Sequence, residues 1–93
     1  NKQEKPKWFK GAWYNTGDTV TNPFTGEQYE LTGPELSMYD FIKGAEYTLA
    51  VNAQNSGDFY IEDPSMVKLQ KEMIKGLDWF RSQNSKAYMT LLD

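Results

Sequence analysis

Two seven-residue runs constrain this chain more than any other feature: Phe41-Ile42-Lys43-Gly44-Ala45-Glu46-Tyr47 and, thirty-two residues on, Met73-Ile74-Lys75-Gly76-Leu77-Asp78-Trp79. Each reads apolar, Ile, Lys, Gly, apolar, acid, aromatic, and each sits inside a stretch whose apolar residues recur at helical spacing. Two long amphipathic helices packed on one another follow from that pattern. Glycine inside a helix costs about 0.5–1 kcal/mol relative to alanine, so Gly44 and Gly76 call for close helix approach as compensation. The match also fits an internal duplication, or chance between two amphipathic segments; two copies are too few for a solenoid.

The rest of the chain must complete a core around those helices. A single domain of 93 residues buries only about 60–65% of the surface its unfolded form exposes. Fourteen aromatic residues offset the small size, since each large ring buries about 150–250 Å². There is no cysteine and no histidine, which removes disulfides, thiolate chemistry, the usual general base and the commonest metal ligand. An enzyme is therefore not expected. No apolar run approaches the ~20 residues that span a bilayer, and no apolar signal core follows the lysine-rich start. The expectation is a soluble cytoplasmic protein without membrane contact.

The net charge of −3 is segregated. Residues 1–10 hold Lys2, Lys5, Lys7 and Lys10 against Glu4, a net +3. Residues 11–67 hold Lys43 against Asp18, Glu27, Glu30, Glu35, Asp40, Glu46, Asp58, Glu62 and Asp63, a net −8. The remainder holds Lys68, Lys71, Lys75, Arg81 and Lys86 against Glu72, Asp78 and Asp93, a net +2. Such a layout serves neutralisation within one molecule and solubility, or else attraction between copies.

In chain order, residues 1–7 read as a mobile basic arm interrupted by Pro6, and 8–93 as one domain. Trp8, Phe9, Trp13 and Tyr14 follow among lysines. Lys5, Lys7, Trp8, Lys10, Trp13 and Tyr14 have the composition of a surface that stacks bases and contacts phosphates of single-stranded nucleic acid. Against this, a chain with a pI near 4.9 lacks a nucleic-acid binder's basic footprint, and the rings serve equally to cover the helices.

Residues 18–31 read as a β-hairpin: Asp18 to Thr21, a loop of Asn22-Pro23-Phe24-Thr25-Gly26, and Glu27 to Leu31. Proline presets the turn and glycine accepts a positive φ. Val20, Tyr29 and Leu31 supply its buried face. Two strands alone are marginal in water, so the hairpin must lie on the helices or recruit a strand, either Phe59-Tyr60-Ile61 or one from a dimer partner. Thr32-Gly33-Pro34-Glu35 fits a capping box with Leu31 and Leu36 as its hydrophobic staple. It opens a helix over about 33–52. Met38, Phe41, Ile42, Ala45 and Leu49 line one stripe of that helix; Leu36, Tyr47 and Val51 fall opposite, with Tyr39 and Ala50 between.

Asp63 caps a second helix over about 64–82, with Pro64 in its first turn. Met66, Leu69, Met73, Leu77 and Phe80 form its seam, widened by Val67 and Ile74. Lys68, Lys71 and Lys75 share its outer face, and Trp79 lies off the seam. Ser82 to Ser85 breaks the chain before a short helix over about 85–92. That break invites a helix-turn-helix, but Lys86 is the sole basic group of the second element's first turns. Asp58, Glu62 and Asp63 are oxygen donors without the ordered series of a calcium loop. Neither metal nor cofactor is expected, and no residue is assigned to catalysis.

The run Thr21-Asn22-Pro23-Phe24-Thr25-Gly26, with Glu30-Leu31-Thr32-Gly33-Pro34-Glu35-Leu36-Ser37-Met38-Tyr39-Asp40-Phe41, resembles short uncharacterised proteins of marine phages and ocean environmental sequence. Gly76-Leu77-Asp78-Trp79-Phe80 with Ala87-Tyr88-Met89 shares that look. The resemblance covers roughly half the chain and implies an accessory or structural protein; it brings no site residues. The expected architecture is a small α+β domain. The expected activity is protein–protein contact, most simply a homodimer through Leu36, Tyr39, Tyr47, Val51 and Trp79, or contact with another protein.

Overall fold

A computed structural model describes residues 3–56 and 63–92 of the chain. The order is β1 (Asp18–Thr21), β2 (Gln28–Leu31), α1 (Gly33–Ser56), α2 (Pro64–Gln83) and α3 (Ser85–Leu91). This is the α+β arrangement of one hairpin and three helices that the periodicity predicts, with α1 running four residues past its expected end. The candidate strand Phe59-Tyr60-Ile61 lies outside the described residues, as do Asp58 and Glu62.

The strands pair antiparallel, with Asp18 opposite Leu31, Thr19 opposite Glu30, Val20 opposite Tyr29 and Thr21 opposite Gln28. β2 makes the principal contacts with the helices, resting on α3 and α1. The hairpin loop is tied down as well. The Asn22 amide donates to the Glu27 carbonyl at 2.8 Å and Gly26 donates to the Asn22 carbonyl at 2.8 Å, with Gly26 at φ +78°. The Asn22 side chain accepts from the Phe24 amide at 2.8 Å and donates to the Thr90 carbonyl at 3.0 Å. Asn22 is thereby buried with both ends of its amide satisfied, and the loop is fixed to the end of α3.

α1 starts on the capping box: the Thr32 amide donates to the Glu35 carboxylate at 3.0 Å, and the Glu35 amide to the Thr32 hydroxyl at 3.3 Å. Asp63 caps α2 through the Ser65 amide at 2.9 Å, and Asn84 ends α2 and caps α3 through the Ala87 amide at 3.1 Å. The core joins Phe9, Leu31, Met38, Tyr39, Ile42, Phe80, Ala87 and Leu91. The helices α1 and α2 close at Gly76, where an added Cβ would stand 3.0 Å from Met38 Sδ and 3.3 Å from Ile42 Cγ1. Close approach explains that glycine.

It does not explain Gly44, which faces open space with nothing within 4 Å of an added Cβ. The reason is rotational. In α1 the run turns Ile42 and Ala45 inward, whereas in α2 it turns Gly76 inward and leaves Ile74 50% exposed. The two similar runs thus present different positions to the core.

Candidate functional site

The N-terminal segment covers one side of the helices with its rings. Phe9 is buried, and it packs edge-on to Trp13 and Phe41 at centroid distances of 5.2 and 5.4 Å. Trp8 lies 5.8 Å from Phe41, and Trp13 lies 5.8 Å from Trp79. The off-seam Trp79 is therefore covered by the chain's own tryptophan. Lys5, Lys7 and Lys10 stand exposed around this cluster. The candidate base-stacking rings Trp8 and Trp13 are engaged with other rings. Tyr14 hydrogen-bonds a carboxylate, donating from its hydroxyl to Asp40 at 3.0 Å. That bond, with the Asp40 charge, holds the Tyr14 phenol above its usual pKa, and a negative group there opposes phosphate.

Gln3, within the stretch expected as an arm, donates to Glu35 at 2.6 Å while the Thr32 hydroxyl donates to Gln3 at 2.6 Å. Asn84 donates to the same Glu35 oxygen at 3.1 Å. The buried Glu35 carboxylate thus accepts from three donors, the Thr32 amide of its own capping box and the side chains of Gln3 and Asn84. It joins the N-terminal segment, the start of α1 and the α2–α3 junction. Among the described residues no buried side-chain nitrogen or oxygen lacks a partner.

Segment 14–17 crosses the backbone of 31–33. A Cβ on Gly17 would collide with the Leu31 carbonyl, and one on Gly33 with the Tyr14 carbonyl. The crossing is pinned by the Tyr14 amide donating to the Ser37 hydroxyl at 2.7 Å, which in turn donates to the Gly33 carbonyl at 2.7 Å. Beside it opens a groove of about 690 Å³, with Trp13, Tyr14 and Leu36 as apolar walls and Asp18 and Asp40 among its polar lining.

The five candidate interface residues do not form one open face. Tyr39 is buried in the core, its phenol held above its usual pKa chiefly by that burial and then by the charges of Asp40 and Glu46. Trp79 is half-buried on Trp13, Leu36 half-buried in the groove wall, and Val51 half-buried. Tyr47 is 73% exposed. The residue that the sequence reading passed over is Phe24, 92% exposed at the hairpin tip. Its signal was present in the Asn-Pro-Phe-Thr-Gly loop: a turn that fixes its own backbone leaves its central side chain free to project.

Among the described residues, ion pairs join Lys43 to Glu46 and Arg81 to Asp78, each within one helix turn. None links the basic N-terminal segment to the acidic middle. No group of three or more His, Cys, Asp or Glu among the described residues is placed to hold a metal. No described helix is long and apolar enough to cross a membrane. No family model, no curated protein and no solved structure matches this chain.

Proposed function

We propose that this chain is a cytoplasmic accessory or structural protein of the phage type that its sequence resembles, acting through protein–protein contact and most simply as a homodimer. The observation that supports this best is Phe24. A phenyl ring 92% exposed contributes almost nothing to the stability of the chain that bears it. Here it stands on a loop whose backbone is already fixed by Asn22 and Gly26. A preorganised aromatic side chain loses little entropy on docking, which is what makes such residues effective anchors. Sedimentation velocity over a concentration series tests the reading: a species of twice the chain mass is expected, and a monomer at every concentration counts against it.

Single-stranded nucleic acid is the second reading, favoured by the exposure of Lys5, Lys7 and Lys10 on one segment. It requires tryptophan quenching by oligonucleotides that weakens steeply with salt. Absence of quenching at low salt removes it.

A further inference from the structure

We infer that two copies join edge to edge through β1, antiparallel about a two-fold axis at Val20, so that the Phe24 tip of each copy lies over the Tyr14–Asp18 groove of the other. This rests on the homodimer reading and specifies its surface.

The geometry starts from the hairpin's own register. The Asn22 amide bonds the Glu27 carbonyl, which makes Asn22 and Glu27 a hydrogen-bonded pair. In an antiparallel ladder such pairs alternate with non-bonded ones. Val20–Tyr29 and Asp18–Leu31 therefore face each other through hydrogen bonds. The backbone groups of Thr19 and Thr21 must point the other way, to the outer edge of β1. Both threonines are exposed, and the Thr19 amide bonds only the adjacent Asp18 carboxylate at 2.7 Å. No hydrogen bond joins this edge to another segment among the described residues. Natural edge strands are commonly guarded by lysine, proline or a bulge; residues 19–21 are Thr-Val-Thr.

A second copy satisfies this edge with one register above all. Placing Thr19 opposite the partner's Thr21, and Val20 opposite the partner's Val20, lets both outward-facing threonines exchange backbone bonds across the two-fold, the Thr19 amide trading the Asp18 carboxylate for the partner's Thr21 carbonyl. Asp18 then faces an uncharged asparagine at position 22, so no like charges oppose, and the threonines form cross-strand pairs of the favourable kind. Moving the register two residues toward the N-terminus would recruit Gly17, whose backbone is already packed against Leu31 and Thr32.

The same register settles the ends. The ladder ends at Asn22 opposite the partner's Asp18, where the chain turns; the loop tip beyond it comes beside the partner's stretch 14–18, which lines the groove walled by Trp13, Tyr14 and Leu36. The most exposed aromatic among the described residues of one copy thereby meets the aromatic-walled groove of the other, and the two-fold repeats the contact. An isologous interface requires this kind of self-complementarity, with knob and groove on one surface.

The absence of native cysteine makes the test clean. A non-hydrogen-bonded antiparallel pair has its Cα atoms about 4.5 Å apart, within the roughly 4.4–6.8 Å that a disulfide spans. Val20→Cys is expected to cross-link into a covalent dimer under mild oxidation, whereas Thr48→Cys, on an exposed turn of α1, is not. Phe24→Ala, which removes a side chain the fold does not use, is expected to weaken dimerisation on the order of tenfold or more. It decides the matter even if Val20→Cys fails to fold. A dimeric wild type whose Phe24→Ala variant associates equally well overturns this seam and leaves the homodimer reading standing. Cross-linking of a folded Val20→Cys variant no greater than that of Thr48→Cys does the same. A monomeric wild type overturns both.

Discussion

Gly17, Gly33 and Gly44 take different consequences from the same substitution. At Gly17 and Gly33 a methyl group would enter the backbone of a crossing segment; nothing there is a flexible side chain that can swing aside. Alanine at either position is expected to destabilise by about 3 kcal/mol or more in urea unfolding. At Gly44 the methyl meets open space, and alanine is expected to stabilise α1 by about 0.5–1 kcal/mol. Asn22 is the other decisive single residue. Asn22→Ala leaves the Phe24 amide and the Thr90 carbonyl without their partner and is expected to cost about 1–3 kcal/mol, with the loss read in the same urea titration.

The elements are governed by their ends. Asp63 holds the start of α2 by accepting from both the amide and the hydroxyl of Ser65, and these bonds pull its carboxyl below the ordinary aspartate range. A group depressed in the folded state contributes stability above its unfolded pKa and loses it as pH falls through the folded one. The N-terminus of α2 is therefore expected to loosen as the pH drops below the usual carboxylate range. Asp63→Asn is expected to flatten that part of the pH profile of hydrogen exchange at the first turn of α2. These caps were legible in the sequence because their causes are local: Thr32 with Glu35, and Asp63 with Pro64, announce helix starts within four residues, and Asn-Pro with Thr-Gly announces the hairpin. What remained illegible was tertiary. Glu35 reads from sequence as a capping residue alone, yet it also binds Gln3 and Asn84 across 32 and 49 positions of chain. Trp79 reads as surplus surface because nothing local says that Trp13 covers it. Gly44 reads like Gly76 because a seven-residue pattern fixes helical period but not which side meets the neighbour.

At the scale of the molecule, the N-terminal rings, the hairpin and α3 together close a core that the two long helices leave open. The chain's internal accounts are thus largely settled: Tyr39 and Trp79 are drawn inward, and the buried polar groups Asn22, Glu35 and Ser37 are satisfied. What stays outside is specific. Phe24 projects from a fixed loop, the outer edge of β1 presents Thr19 and Thr21, and the basic first ten residues lack an ionic partner in the acidic middle among the described residues. The proposed dimer would use the part of this surface that lies at the hairpin, the β1 edge and Phe24, whereas Tyr47, Ile74 and Met89 stand exposed on the helices. The most direct measurement is light scattering coupled to size-exclusion across a concentration series, at low and moderate salt. The mass is expected to rise with concentration from the 10.8 kDa of one chain to twice that value, largely retained at moderate salt because strand pairing and phenyl burial are screened little. A mass that stays at one chain up to high micromolar concentration would contradict the dimer.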